Sequence, residues 1–190
     1  MKNILPLLLI IFFTPVNANS ETEGANSETA ENSAQALFQT INQRLSYMED
    51  VALYKAINHL PIEDVKREKL VLEKAKQAAK EKGLAPGSIE AFFKTQIAVA
   101  KAIQYRYRAD LLIQPTNKKP RDLKTEVRPA LIRLGDEIIL GITNHLKKYG
   151  SFDVSNLEKF SKELNVRYVK EKDKEALFEA LKKIDILDSK

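Results

Sequence analysis

The 190-residue chain has no cysteine, no tryptophan and only two histidines, and it holds just 6 glycines and 7 prolines. Without cysteine there is no disulfide framework, no thiolate nucleophile and no Cys-based metal site. His59 and His145 have no partner at metal-ligand spacing, so no metal is expected and each reads as a surface or cap residue. Lys and Arg number 31 against 26 acidic residues, and no basic block is dense enough for a nucleic-acid groove. Long apolar stretches are also scarce. The run at residues 4–13 is half the length of a membrane span, which needs about twenty residues. Nothing in the sequence resembles a nucleophile with its base.

The first 18 residues form a separate unit. Lys2 and Asn3 precede the apolar run, and the small-residue site Val16-Asn17-Ala18 follows it, which is the layout of a cleavable secretory signal. Cleavage is expected near Ala18, giving a periplasmic or secreted protein with no membrane attachment. Loss of Lys2 leaves 30 basic against 26 acidic residues, a net charge of +4 spread over Lys/Glu-rich stretches. Residues 19–33 are small, polar and acidic, and read as a flexible leader.

Residues 34–190 carry the composition of one all-α domain: Ala, Leu, Ile, Lys and Glu dominate, and 44% of the chain is hydrophobic. The punctuation predicts a bundle of about six helices. The first begins at Ser33 or Ala34 and stops near His59, because Pro61 pushes the preceding residue out of the α region. The second starts at Pro61, with Glu63 and Asp64 in its first turn, and ends at Gly83. Ser88 is a candidate cap for the third, which closes before Pro115. After the loop 114–121, a fourth helix runs from Asp122 or Thr125 to about residue 149, with Pro129 marking its true start or bending it. A short helix capped by Asp153 or Ser155 and a last one over 172–187 complete the chain. Residues 165–169 are a short strand candidate, and no long internal repeat is present.

Charges interrupt the apolar seams. Steps of three and four through the first helix give Ala34, Leu37, Ile41, Arg44, Met48, Val51 and Lys55. The same count in the third gives Phe93, Ile97, Ala100, Gln104, Tyr107 and Leu111, and in the fourth Arg128, Ile132, Gly135, Ile139, Ile142 and Leu146. Buried cations and amides are costly unless something satisfies them. The misfits are Arg44, Lys55, Asp64, Arg67, Glu68, Gln104 and Arg128. Three arginines on different helices suit a ligand with two carboxylates, since guanidinium groups bind carboxylates bidentately, and Lys55 and Gln104 remain as donors for something else. The bland alternative is that these residues form solvated seam ends and intrahelical pairs such as Asp64 with Arg67.

The residues Arg44-Leu45, Val51-Ala52, Lys55, Leu60-Pro61-Ile62-Glu63-Asp64, Arg67-Glu68, Gly83-Leu84, Phe92-Phe93, Gln96-Ile97 and Ala102-Ile103-Gln104 resemble the all-helical chorismate mutases, and most closely their secreted gamma subclass. The likeness spans about 37–112 and continues through Arg128-Pro129. It implies a catalytic core over about 37–146 with added C-terminal helices over 153–187. It also implies rearrangement of chorismate to prephenate with no cofactor and no covalent bond to protein. The enzyme would hold the reactive diaxial conformer and stabilise charge on the breaking ether oxygen. By resemblance Arg44, Arg67 and Arg128 clamp the carboxylates, Lys55 and Gln104 donate to the ether oxygen, Glu68 takes the substrate hydroxyl, and Asp64 lies beside the ring near Lys55. A homodimer with a complete site in each protomer is expected.

Two positions depart from the family. Ala100 stands where some relatives carry a hydroxyl, and Gln104 where others use a glutamate that must be protonated to donate. The neighbouring readings are a lyase of the same fold that removes pyruvate from isochorismate, and a periplasmic helical binding protein without chemistry.

Overall fold

A computed structural model describes the backbone of residues 19–187 and the side chains from Thr29 onward, so the expected signal at 1–18 lies outside the described residues. Among the described residues the chain is all-α: α1 (Asn19–Ser46), α2 (Met48–Ile57), α3 (Val65–Lys82), α4 (Pro86–Ile113), a π turn (Leu123–Val127), α5 (Arg128–Tyr149), α6 (Asn156–Glu163) and α7 (Glu171–Lys182). Residues 165–169 form no strand; a single bridge pairs Leu84 with Ile186. α1 packs along α5, while α2, α3 and α7 pack on α4, and α6 covers α1. No helix among the described residues is long and apolar enough to cross a membrane.

The seam through Ala34, Leu37, Ile41, Arg44, Met48, Val51 and Lys55 is buried throughout. Gly141 admits the close approach of α5 to α1, because a Cβ there would stand 3.3 Å from Leu37 Cδ1. The helix that carries the seam departs from the sequence expectation at both ends. It starts at Asn19 rather than at Ser33 or Ala34. Residues 19–33 include four Glu and two Ala, and a helix already docked further along propagates into them at one backbone bond per residue. Glu31 also pairs with Lys159 of α6 at 2.5 Å. The expected single helix to His59 is instead interrupted at Tyr47, where the Ser46 hydroxyl donates to the Gln43 carbonyl at 2.7 Å. Such back-bonding bends helices.

The Leu60-Pro61 corner stands, but α3 begins at Val65, not Pro61. Asp64 is its cap, accepting from the Arg67 N–H at 3.0 Å, and Glu68 reaches back to the Asp64 N–H at 3.3 Å. Two orphan donors are thereby satisfied, a better solution than helical residues at 61–64 would provide. Gly83 closes the helix at φ +79°, as expected of a left-handed C-terminal residue. Ser88 is not the cap of α4. Pro86 supplies the first helical position, and the Ser88 hydroxyl donates to the Ala85 carbonyl at 2.9 Å.

Pro129 has both of its expected effects. The α-helix proper begins at Arg128, and the preceding turn is widened, with Val127 N–H donating to the Asp122 carbonyl at 3.0 Å. Proline clashes with the carbonyl four residues back, and the wider turn relieves that clash. His145 is neither surface nor cap. It lies three residues beyond Ile142 on the buried stripe of α5 and stacks on Phe152 at 4.1 Å with an interplanar angle of 8°. α7 ends at Lys182, short of residue 187, because the chain beyond it turns to pair with Gly83 and Ala85.

Candidate active site

A cavity of about 170 Å³ opens between α1, α2, α3, α4 and α5, and all seven polar misfits line it. Each helix contributes through its own seam: Arg44 from α1, Lys55 from α2, Arg67 and Glu68 from α3, Gln104 from α4 and Arg128 from α5, with Asp64 at the cap of α3. Phe93, Ile97, Val51 and Ile139 supply apolar wall, and Ala100 leaves that part of the wall without a hydroxyl. Ile132, placed on the α5 seam by its spacing, is 40% exposed and sits at the rim.

The polar groups are partly satisfied and partly free. Arg44 is buried, its guanidinium carbon lies 5.8 Å from the centre of the Phe93 ring, and its Nε has no hydrogen-bond partner. Burial pushes its pKa from 12.5 down to about 10, which leaves it cationic at neutral pH. Gln104 donates from Nε2 to the Ala100 carbonyl at 3.1 Å, and its Oε1 is buried without a partner. The second amide hydrogen goes to Met48 Sδ at 3.7 Å, a weak acceptor that a ligand oxygen can displace. Lys55 donates to the Ile62 carbonyl at 2.5 Å and keeps two further donors. Burial holds its ammonium below the usual lysine range, opposed by the carboxylates of Asp64, Glu68 and Glu63.

The Asp64–Arg67 contact is a backbone cap rather than a side-chain ion pair. The Asp64 carboxylate instead faces Arg128, 3.7 Å from Nη2. Glu68 pairs with Lys101 of α4 at 3.0 Å. Sequence reasoning missed Lys101, together with Lys74 and Asp136, all of which line the cavity. Lys74 is seven residues from Arg67 and Lys101 three from Gln104, so both spacings were available as signals. The lining therefore carries six cations (Arg44, Lys55, Arg67, Lys74, Lys101, Arg128) and three carboxylates (Asp64, Glu68, Asp136), a net +3. Such a lining favours an anion. No His, Cys, Asp or Glu cluster able to hold a metal occurs among the described residues.

The sequence profile described as chorismate mutase type II matches residues 31–105, which include every lining misfit except Arg128. The chain is 39% identical over 150 residues to a monofunctional chorismate mutase of Enterobacter agglomerans, covering 78% of this chain and 82% of that one. It is 40% identical over 149 residues to a secreted chorismate mutase of Yersinia pestis, covering 77% and 78%. The crystal structure of the secreted chorismate mutase from Yersinia pestis superposes with a TM-score of 0.73 at 38% identity, over 79% of this chain and 97% of that one.

Proposed function

We infer, from the premise that the chain belongs to the chorismate mutase type II family, that it is a chorismate mutase that rearranges chorismate to prephenate within the cavity between α1 and α5. The observation that carries the site assignment is the cavity lining: six cations against three carboxylates surround one pocket, and the buried Arg44 Nε has no hydrogen-bond partner. The rearrangement breaks a C–O ether bond and forms a C–C bond in one molecule, so the protein need supply neither nucleophile nor base. Its contributions are confinement of one conformer and charge stabilisation at the ether oxygen.

In this reading Arg44, Arg67 and Arg128 hold the two carboxylates. The second Gln104 amide hydrogen and a free Lys55 proton donate to the ether oxygen as negative charge develops there. Glu68, oriented by Lys101 and by the Asp64 N–H, accepts the substrate hydroxyl through a remaining lone pair. Asp64 keeps Arg128 and Lys55 in place electrostatically. No cofactor is required.

The test is incubation of the purified mature chain with chorismate, following loss of its absorbance and identifying the product. Prephenate supports the reading, and no turnover at high enzyme concentration refutes it. Isochorismate consumed with release of pyruvate would assign the lyase instead.

Three further features belong to the same proposal. Residues 1–18 direct export, giving a periplasmic or secreted protein, and are removed near Ala18, which N-terminal sequencing of the exported protein tests. Residues 34–190 act as one catalytic domain. The protein works as a homodimer with a complete site in each protomer, and the second half of that reading is supported by Arg128 reaching the same cavity as Arg44 and Arg67 of its own chain. Mixing Arg128→Ala and Lys55→Ala chains should restore no activity, whereas recovery would mean shared sites.

A further inference from the structure

Asp50 is a buried carboxylate that the reaction does not use. It is 5% exposed at the start of α2, three residues after the interruption at Tyr47. An ionised carboxylate removed from water needs partners with good geometry. They come from a loop 71 residues away: Arg121 donates to Asp50 Oδ2 from Nε at 2.6 Å and stands 2.5 Å from it through Nη2. Lys118 approaches Oδ1 at 3.4 Å. The Arg121 guanidinium also stacks on the Tyr47 ring, 4.1 Å from its centre. The interrupted helix thus presents a carboxylate and an aromatic face to one arginine.

What this arginine anchors matters for the site. Residues 114–121 have no regular secondary structure, and next in the chain comes the π turn. From Asp122, next to Arg121, the chain is bonded turn by turn. Asp122 Oδ1 accepts from the N–H of Lys124 at 2.8 Å and of Thr125 at 2.7 Å. The Asp122 carbonyl accepts from Glu126 at 3.1 Å and Val127 at 3.0 Å, and Arg128 N–H donates to the Leu123 carbonyl. Leu123 and Arg128 line the cavity, as do Met48 and Val51 beside Asp50.

We propose that the Asp50–Arg121 pair is a positioning device that fixes the π turn against the α1–α2 junction and thereby sets where the Arg128 guanidinium stands. Asp50 and Arg121 touch no part of the cavity. Their effect reaches substrate through Arg128, so this inference rests on the reading that Arg128 holds a substrate carboxylate. The alternative is that the packing of Val127 and α5 alone places Arg128.

A double-mutant cycle separates the two. Arg121→Ala in the otherwise native chain should raise KM for chorismate about tenfold with kcat changed less than about twofold, a loss of about 1.4 kcal/mol. In an Arg128→Ala background the same substitution should change kcat/KM by less than about twofold, because the group it positions is gone. Arg121→Lys should recover part of the loss, keeping the charge but not both contacts. Unchanged KM in Arg121→Ala, or an equal loss in both backgrounds, overturns the proposal. Hydrogen exchange gives a readout independent of chorismate. The Glu126, Val127 and Arg128 amides should exchange faster in Arg121→Ala while those of α4 do not. If the native chain fails to turn over chorismate, the functional reading falls, and unchanged exchange at 126–128 would separately overturn the positioning role.

Discussion

Arg44→Met should make the protein more stable and almost inactive at once. Arg44 lies between Ile41 and Met48 on the buried seam, with the Phe93 ring on one side and its Nε unpartnered. Holding a guanidinium at about 10 instead of 12.5 corresponds to roughly 3 kcal/mol of differential cost, at about 1.4 kcal/mol per pKa unit. The orphaned donor accounts for about 1–3 kcal/mol of the same penalty rather than adding to it. Methionine is unbranched and of comparable length, and it fills the slot without a charge. Lost packing of the arginine stem offsets part of the gain, so a net stabilisation of about 1–2 kcal/mol is expected. For a domain of this size that raises the melting temperature by about 2–8 °C. Calorimetry of both proteins without ligand, alongside chorismate turnover, is the assay. Turnover should fall by about 10²–10³ if Arg44 is a preorganised carboxylate partner. A lower melting temperature for Arg44→Met would refute the reasoning, since the cation would then be a net structural asset rather than a group whose cost is offset only by a ligand.

Three other outcomes follow from the same geometry. Lys55→Ala should cut kcat by about 10²–10³, and intact turnover with only a lower melting temperature would make Lys55 structural. Gln104→Glu should convert a pH-insensitive donor into one that works only when protonated, so its turnover, measured from pH 5 to 9, should decline with rising pH while the native profile stays flat through neutral and mildly alkaline pH. For His145, burial lowers the folded-state pKa below the ordinary value of about 6.5, so the unfolded chain binds a proton first. Stability is therefore lost as pH falls below about 6.5, and His145→Phe should flatten that acid limb in denaturant titrations.

The parts of the fold that were legible are those governed by one helix's own periodicity. The α1–α2 seam repeats every three or four residues, so Arg44 and Lys55 announced themselves as cations in apolar positions. Gln104 did so on α4 in the same way. The Gly83 stop was equally local. Most of what stayed hidden depends on partners distant in sequence. Ser46 is a local signal for the interruption at Tyr47, but the ion pair that ties this junction to a distant loop was hidden, because the partner of Asp50 is Arg121. Asp64 was misplaced by a local ambiguity rather than a distant partner: it looked like a first-turn acid, and the bond it accepts from the Arg67 N–H makes it the cap. His145 looked solitary because its companion is a stacked ring, Phe152, rather than a ligand or a charge. Lys101 was visible in principle, but lysine on a helix reads as solvated surface until Glu68 of α3 is brought beside it.

The order in which the walls of the cavity occur along the chain also constrains how function is acquired. Arg44, Lys55, Arg67 and Gln104 lie on the first four helices, yet the wall that carries Arg128 and Ile139 belongs to α5, which packs along α1. Isolated helices form within about a microsecond, and the α1–α5 pairing must close a loop of roughly a hundred residues. Recovery of helical circular dichroism during refolding should therefore run ahead of recovery of turnover. Catalysis becomes a clock for the long-range docking step, sensitive to the last helix to arrive rather than to the many that precede it.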